Sequence, residues 1–128
     1  MAEVVVDASA LVDLLLTNDL GRAVRRRVAG HVVHAPAHID AEVLSALRRL
    51  HRADELDAST VETKLHQLAA APIQRHAVHA LLLGTWARRH QLRLVDALYV
   101  ELALSQDLPL VTTDRRLRAA PSVEVMTG

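Results

Sequence analysis

The sequence predicts an α/β fold in which helices connect parallel strands, and three observations lead to that prediction. Short apolar runs suited to buried strands recur along the chain, as at residues 4–6 and 109–113. Between them lie longer segments whose apolar residues keep helical spacing, and turn residues separate the two kinds of segment. Strands that alternate with helices pair in parallel through right-handed crossovers. With 128 residues, 51% of them hydrophobic, and no plausible linker, we expect one domain over residues 1–128.

The first half of the chain is predicted to contain two strands and four helices. Oxygens of Asp7 to Ser9 can cap the first helix, Thr17-Asn18-Asp19 interrupts it, and Gly30 ends the second. A polar break at Asp54 to Asp57 separates the last two helices, which we expect to form a hairpin. In chain order, the elements are a strand at residues 3–6, a helix carrying Leu11, Val12, Leu14, Leu15 and Leu16, a helix from about Leu20 to Ala29, a short strand at Val32 and Val33 closed by Pro36, a helix from about Ala37 to Arg52, and a helix carrying Val61, Leu65 and Leu68.

The second half begins where Pro72 ends the hairpin. The helix that starts at Asp96 is apolar on almost every side, which predicts that it is buried on most of its surface. We also expect the rings of Trp86 and Tyr99 to lie in the core. In chain order, the elements are a short strand at Ile73 and Gln74, a helix from about Ala77 to His90, a helix from about Asp96 to Gln106, a strand from Pro109 to Thr113, a short helical turn, and a last strand near Val123 to Met126.

Composition excludes several classes of function. The formal net charge is +0, so no overall field draws the chain to nucleic acid or to an anionic membrane. The absence of cysteine excludes disulfides, thiolate metal sites and cysteine nucleophiles. The apolar stretches are too short to span a bilayer, and Glu3 and Asp7 stand where a secretory signal would be basic. We therefore expect a cytosolic protein with no membrane partner.

A set of acids lies where apolar runs meet chain turns. In an open parallel sheet the ligand crevice lies outside the carboxyl ends of the strands, so acids at those ends can meet in one pocket. Carboxylates gathered without basic partners repel, and hard divalent cations relieve that repulsion. The pattern therefore indicates a metal-dependent site. The acids concerned are Asp7, Glu42, Asp96 and Asp114.

The residue pattern leaves alternatives open for these acids. Asp7 and Asp114 could act only as caps of the elements that follow them. Asp96 projects from the top of a buried helix face, where a carboxylate needs a partner, and this favours a functional role. Glu42 flanks the apolar stripe of its helix, but Asp40 flanks the other side about equally. Helical geometry does not choose between Glu42 and Asp40, and either could be a solvated first-turn charge.

Motifs of one known family occur almost from end to end of the chain. They lie in the segments VVVDASALVDLLL, HIDAEVLSALRRL, LVDALYVELALSQDLPLVTTDRRL and VEVM. In these segments the chain resembles PIN-domain proteins, and specifically the VapC-type toxins of bacterial toxin–antitoxin pairs. By this resemblance all four family acids are present, and the resemblance favours Glu42 over Asp40. The matches are the D-x-S acid Asp7 with Ser9, the E-x-x-x-A-L acid Glu42, the D-A-x-Y acid Asp96, and the T-x-D acid Asp114 with Thr112.

The resemblance implies both a fold and an activity. The fold is a three-layer α/β/α sandwich with a central, mainly parallel sheet. The activity is that of a toxin endoribonuclease whose acids hold Mg²⁺ or Mn²⁺ and hydrolyse RNA phosphodiester bonds. The implied partners are an RNA substrate, a cognate VapB-like antitoxin whose C-terminal segment covers the acidic groove, and a second copy of the chain in a homodimer. Direct DNA binding is not expected without the antitoxin.

From the chemistry of phosphodiester cleavage we hypothesise roles for the site residues. The three aspartates would bind the metal directly or through water, and Glu42 would bind the metal or orient the nucleophile. Ser9 and Thr112 would be the hydroxyls that hold carboxylates in place, although a helix start and a strand end explain them equally well. Arg115 and Arg116 directly follow Asp114 and are the arginines best placed to meet an RNA strand, although a solvated turn explains them equally well.

Other enzyme classes fit the sequence less well. A phosphoacceptor receiver domain needs an acid pair after the first strand, but here Ala8 follows Asp7; it also needs a lysine after a late strand, and the single lysine, Lys64, lies in a helix. A haloacid-dehalogenase-type phosphatase needs an aspartate where Ser9 stands. The alternative that we retain is a catalytically inactive PIN-like binding or scaffold module.

Two further patterns have ordinary explanations. The pairs His34 with His38 and His76 with His79 have spacings used in transition-metal sites, but no third ligand lies at motif spacing, so surface or half-buried imidazoles are expected. Apolar surface in the region of residues 61–83 could receive the antitoxin, although core packing explains the same residues.

Overall fold

A parallel sheet of five strands forms the centre of the structure, a computed structural model that describes residues 2–128. Every pair of neighbouring strands is parallel, as the sequence predicts. The valines Val4, Val5 and Val6 of the middle strand are at most 3% exposed, as expected of a strand covered on both faces. The strands are β1 (Glu3–Val6), β2 (Val32–Pro36), β3 (Ile73–His76), β4 (Leu110–Thr112) and β5 (Val123–Val125), and they lie in the order β3-β2-β1-β4-β5.

Helices cover both faces of the sheet. They are α1 (Ala8–Leu16), α2 (Asp19–Val28), α3 (Ile39–Arg52), α4 (Ala58–Ala70), α5 (Leu82–Ala87) and α6 (Leu94–Gln106), with single 3₁₀ turns at Val78–Leu81 and Arg115–Leu117. Helix α1 packs on α2, α3 and α4, whereas α5 packs on α6, which lies against β1, β2 and β4. The chain crosses the sheet in opposite directions for the two groups, so right-handed crossovers place them on opposite faces. The predicted three-layer α/β/α sandwich is confirmed.

The sheet has a topological switch point beside β1. From β1 the chain adds β2 and then β3 on one side, and it returns to place β4 and β5 on the other side. Helix α1, which follows β1, and helix α6, which precedes β4, therefore lie on opposite faces of the sheet. They leave a crevice outside the carboxyl ends of these two strands. This is the general ligand-binding position in open α/β sheets.

The prediction of a single helix at residues 77–90 is wrong. The segment forms the 3₁₀ turn Val78–Leu81, the short helix α5 and then turns that continue to Leu92. Gly84 and Thr85 in its middle are poor helix formers. A Cβ at Gly84 would lie 2.1 Å from the side-chain carboxylate of Glu101 on α6, so the two segments pack closely at this position. The strand predicted at Val32 and Val33 is longer in the structure and includes Pro36.

The exposure of large apolar side chains also differs from the prediction. Tyr99 is buried as expected, but Trp86 is 57% exposed, so its prediction as a core ring is wrong. In the region of residues 61–83, Leu68 and Leu81 are buried in the core. The main exposed apolar surface, called here the α5–α6 apolar patch, consists of Leu82, Leu83, Trp86, Leu94 and Val95. Among residues 2–128 no helix combines the length and hydropathy needed to cross a bilayer.

Candidate active site

An open cleft of about 300 Å³ lies at the carboxyl end of the sheet, in the crevice beside β1 and β4. Side chains from α1, α3 and α6 form its walls. All four acids predicted from the sequence line this cleft, together with Ser9. Acids from four separate segments of the chain are thus brought to one place, namely Asp7, Glu42, Asp96 and Asp114.

Asp7 is the most constrained of these acids. It follows β1 directly, and its Oδ1 accepts hydrogen bonds from the backbone N–H of Ala10 at 3.0 Å and from Oγ of Ser9 at 2.8 Å. The first of these bonds is the N-cap of α1, so Asp7 caps this helix and also lines the cleft. The cap also fixes which way the carboxylate faces.

Thr112 connects Asp7 to the segment that carries Asp114. Its buried hydroxyl donates a short hydrogen bond to Oδ2 of Asp7 and accepts one from the backbone N–H of Asp114 at 2.9 Å. Ser9 and Thr112 therefore both donate to the Asp7 carboxylate, which are the contacts predicted for these hydroxyls. Any part that they take in metal binding stays a prediction.

Burial changes the acidity of Asp7. Only 4% of the residue is exposed, and this desolvation raises its pKa from 3.8 to about 6, against the hydrogen bonds from Thr112, Ala10 and Ser9 that lower it. The nearby negative charge of Asp114 raises the pKa further. Such a group gains charge stabilisation from any cation that enters the cleft.

Glu42 is held by side chains from two helices. Oε1 accepts a hydrogen bond from the Tyr99 hydroxyl of α6 at 2.6 Å, and Nε2 of His38 lies 3.2 Å away. Because this nitrogen also faces the carbonyl oxygen of Val95 at 3.1 Å, it has two acceptors and must carry the proton. Burial acts to raise the pKa of Glu42, but the hydrogen bonds from His38 and Tyr99 outweigh it, so the pKa is lowered. Burial and the Glu42 carboxylate raise the pKa of Tyr99.

Asp96 and Asp114 each pair with an arginine of their own segment. Oδ2 of Asp96 lies 3.0 Å from Nε of Arg93, and Oδ2 of Asp114 lies 2.7 Å from an Nη of Arg116. Hydrogen bonding to Arg116 lowers the pKa of Asp114. Asp114 also accepts a hydrogen bond from the backbone N–H of Arg116 and so caps the 3₁₀ turn that follows it. The guanidinium groups thus neutralise part of the charge in the cleft.

The donor set of the cleft suits a hard divalent cation, but the side chains are not arranged around one. Five carboxylates and three guanidinium groups line the cleft, which leaves an excess of negative oxygen donors. Within residues 2–128, however, no three Asp, Glu, His or Cys side chains converge on a common ion position. Two of these carboxylates, Asp96 and Asp114, face arginines instead. Rotation of the exposed heads of Arg93 and Arg116 would free both carboxylates.

The structure separates several of the alternatives left by the sequence. Glu42 lines the cleft, whereas Asp40 accepts hydrogen bonds of 2.7 and 3.0 Å from Arg75 of β3 and does not line it. Arg116 lines the cleft, but Arg115 beside it does not.

Sequence reasoning missed five side chains at or beside the cleft. Asp13, which accepts a hydrogen bond from Thr113 at 2.7 Å, lines the cleft and lies six positions after Asp7. Helical spacing contained a signal for the other four side chains. Three of them lie three or four residues from a predicted acid, and the fourth, Arg49, lies seven residues after Glu42. These are His38, Arg49, Arg93 and Tyr99.

The histidines form no candidate metal centre in the described part of the chain. His34 is buried, so the expectation of surface or half-buried imidazoles is wrong for this residue. Its Nε2 lies 2.7 Å from Oε1 of Glu3, and its Nδ1 lies 2.8 Å from Nε2 of His76. These partners lie on opposite sides of the ring and cannot share one ion with it.

Comparisons with known proteins agree with the fold. Residues 4–122 match the PIN domain family. The chain is 55% identical to Ribonuclease VapC3 of Mycobacterium tuberculosis over 97% of its own length and 92% of that protein. The crystal structure of Mycobacterium tuberculosis VapC20, a sarcin–ricin loop cleaving toxin, superposes with a TM-score of 0.73 at 18% identity, covering 98% of this chain and 100% of that one. A toxin–antitoxin complex from Klebsiella pneumoniae superposes with a TM-score of 0.67 at 16% identity, covering 96% and 97%. The chain therefore belongs to the PIN-domain family, among its VapC-type members.

Proposed function

We propose that this chain is an endoribonuclease that acts as the toxin of a toxin–antitoxin pair and depends on Mg²⁺ or Mn²⁺. The observation that carries the proposal is the convergence of four carboxylates from separate segments on one cleft at the switch point of the sheet. The 55% identity to Ribonuclease VapC3 supports RNA as the substrate. A bound divalent ion would supply charge neutralisation at the phosphate and a more acidic water.

The residues of the chain have distinct parts in this reaction. Asp7, Asp96 and Asp114 would hold the ion, and the Ser9 and Thr112 hydroxyls orient Asp7. Because the pKa of Glu42 is lowered by His38 and Tyr99, its carboxylate is ionised at neutral pH and can orient the attacking water by accepting its proton in a hydrogen bond. Arg116 would turn from Asp114 to the phosphate as the acids take up the cation.

An RNA digestion assay tests the proposal. Wild-type protein should cleave a labelled RNA pool in Mg²⁺ or Mn²⁺ and should not cleave it in excess chelator. Glu42→Gln should lose most of this activity. Asp40→Asn is the matched control, because Asp40 lies on the same helix but pairs with Arg75 outside the cleft. Circular dichroism should show that both variants are folded.

Two results would contradict the proposal. Cleavage that persists in excess chelator would contradict the proposed dependence on a metal ion. Absence of cleavage by purified wild-type protein on any RNA in the pool, with both metals present, would favour the inactive binding or scaffold module.

A VapB-like antitoxin is the proposed partner of the acidic cleft. The structural similarity to a toxin–antitoxin complex supports a partner of this kind. An antitoxin segment that covers the cleft should compete with RNA. Co-expression with the product of an adjacent short reading frame should restore growth to cells that this chain arrests, and the two proteins should co-purify.

We also propose that the chain forms a homodimer through the α5–α6 apolar patch. Leu83 in this patch is 88% exposed and Trp86 is 57% exposed. Large exposed apolar groups that lie together on a surface are typical of contact sites between proteins. Covering them with the same patch of a second copy would bury apolar area in a self-complementary contact.

A further inference from the structure

The three arginines that line the acidic cleft are not equivalent. Arg93 pairs with Asp96 and Arg116 pairs with Asp114. Arg49 of α3 also lines the cleft, but within residues 2–128 its side chain forms neither a salt bridge nor a hydrogen bond. Arg49 is exposed, so its charge is available to a ligand.

The position of Arg49 follows from the geometry of α3. Glu42, Ala46 and Arg49 are spaced by four and then three residues, so they lie on one face of the helix, and all three line the cleft. Ala46 between them is small and leaves space above the helix. A ligand whose reacting group lies at Glu42 can therefore extend along this face to Arg49.

A second depression continues the cleft on the same side. It has a volume of about 340 Å³ and lies between α3 and the start of α6. It shares Glu42 and Arg49 with the acidic cleft, so these two residues stand at the junction. The other lining residues are His38, Ala41, Ser45 and Val95, and we call this depression the α3 groove.

We propose that Arg49 binds the backbone phosphate next to the scissile one, and that the α3 groove receives the nucleotide between these two phosphates. The proposal rests on the proposed function in taking RNA as the ligand and the acidic cleft as the site of cleavage. A guanidinium group suits this role because its planar fork donates paired hydrogen bonds to phosphate oxygens. The excess of acids repels the RNA backbone, so an arginine that no carboxylate already neutralises would strengthen binding outside the position of the metal.

Arg48 provides a matched control for Arg49. It is the neighbouring residue of α3, it is also exposed, and it lines neither the cleft nor the α3 groove. Replacing either arginine by alanine removes one positive charge from the same helix. A difference between the two variants therefore reports position, not net charge.

The experiment measures binding without cleavage. Asp7→Asn is used as the parent so that the RNA stays intact in Mg²⁺, and the ligand is a fluorescein-labelled single-stranded RNA of mixed sequence of about 12 nucleotides. Fluorescence anisotropy should show that adding Arg49→Ala weakens binding roughly three- to tenfold more than adding Arg48→Ala. The slope of log affinity against log salt should fall by about 0.7 for Arg49→Ala, as expected when one contact to a single-stranded phosphate is lost. Arg49→Lys should recover part of the affinity, because it keeps the charge.

A second pair of variants tests the α3 groove. Ser45→Glu places a carboxylate inside the groove and should weaken binding. Leu44→Glu adds the same charge at a neighbouring residue that is 51% exposed and lies outside the groove, and it should have a smaller effect.

The results separate this inference from the proposed function. Equal binding by the Arg49→Ala and Arg48→Ala variants, or no measurable RNA binding by the parent, overturns the inference, even where wild-type protein cleaves RNA. Wild-type protein that cleaves no RNA contradicts the proposed function, whereas a selective loss of binding in Arg49→Ala would still place a phosphate at Arg49.

Discussion

Asp7 is held by groups that favour its charge and by an environment that opposes it. Ser9, Ala10 and Thr112 all donate hydrogen bonds to the carboxylate, which favours the ionised form. Burial nevertheless raises its pKa to about 6, so an ionised Asp7 at neutral pH costs the folded state free energy. A cation in the cleft would reverse this cost, which is the usual conflict between stability and function at an active site.

We predict that Asp7→Asn abolishes metal-dependent cleavage but increases stability at pH 7.5. Asparagine has the shape of aspartate and can still accept from Ala10 and Ser9, but it carries no buried charge. The difference between pKa values of 3.8 and about 6 corresponds to about 3 kcal/mol, and loss of the Thr112 hydrogen bond to Oδ2 offsets about 1 kcal/mol of it. The gain in the free energy of unfolding should therefore be on the order of 2 kcal/mol. Urea unfolding in chelator measures it.

The pH dependence of this gain has a definite sign. Below pH 3.8 the carboxyl group is protonated in both the folded and the unfolded wild-type chain, so its raised folded pKa favours folding fully there. That contribution is lost as the pH rises from about 4 through about 6. The advantage of Asp7→Asn should therefore be small at pH 4 and reach its full size above pH 7. A variant less stable than wild type at pH 7.5 would show that Asp7 is not destabilising.

Arg116 competes with any cation for Asp114. We predict that Arg116→Ala increases the affinity for Mn²⁺ about two- to fivefold, since an exposed ion pair of this kind contributes at most about 1 kcal/mol. Isothermal titration calorimetry measures the affinity directly. Arg115→Ala is the control, because Arg115 lies in the same turn and does not line the cleft. An equal increase in both variants would indicate only a general effect of net charge.

The sequence predicted where the acids lie better than what they contact. Strand ends and helix starts fix the position of Asp7 and Asp114, because parallel strands align their carboxyl ends. The pairing of Asp96 with Arg93 is a choice of side-chain conformation that apolar periodicity does not encode. Similarly, Glu42 and Asp40 occupy equivalent positions on a helical wheel, and only the family motif favoured Glu42. The structure separates them by the contacts that Glu42 makes with Tyr99 and by the pair that Asp40 forms with Arg75.

At the scale of elements, the site joins the two helical layers. Glu42 belongs to α3 on one face of the sheet, and Tyr99, which donates to it, belongs to α6 on the other. This contact passes beyond the carboxyl edge of the sheet, where no strand separates the layers. Movement of α3 relative to α6 would therefore change the position of Glu42 in the cleft.

Helices α1 and α2 meet at a position that only glycine allows. A Cβ at Gly21 would lie 1.9 Å from the carbonyl oxygen of Asp13 and 2.6 Å from its carbonyl carbon. Backbone atoms cannot rotate away as a side chain can. We predict that Gly21→Ala lowers the free energy of unfolding by about 2–3 kcal/mol, measured by urea unfolding.

Gly84→Ala is the comparison for this prediction. The added methyl group would overlap the carboxylate of Glu101, which is the end of a flexible side chain. Its cost should be smaller than that of Gly21→Ala, because Glu101 can move at the expense of its pair with Arg88. Equal losses in the two variants would show that α1 can shift away from α2.

The segment at 77–90 was predicted poorly, and a comparison with α6 shows the physical reason. Helix α6 is nearly all apolar and its burial is dictated by composition, whereas the segment at 77–90 mixes Gly84 and Thr85 with leucines. Its apolar spacing fits a helix, but its intrinsic propensity does not support one long helix. Tertiary contact with α6 then sets the short α5 that is observed.

For the whole molecule, alternation of strands and helices was sufficient to predict the parallel sheet, whereas its three layers were implied by the resemblance to PIN-domain proteins. Exposure of individual apolar residues was not predictable in the same way. Trp86 is a large apolar residue at the spacing of a core position. Its exposure follows from where α5 ends and how α5 packs on α6. The resulting patch is a property of the surface that no single segment encodes.

The α5–α6 apolar patch leads to a prediction about assembly. We predict that wild-type protein sediments with about twice the mass of the 14.0 kDa chain and that Leu83→Glu sediments as a monomer. Leu83 is 88% exposed in the single chain, so the substitution should not unfold it, but a carboxylate buried without a partner in a dimer contact is costly. Leu44→Glu is the control, because Leu44 is exposed on α3 outside the patch. Sedimentation equilibrium distinguishes the outcomes: a monomeric wild type contradicts the homodimer, whereas a dimeric Leu83→Glu protein places the contact elsewhere on the surface.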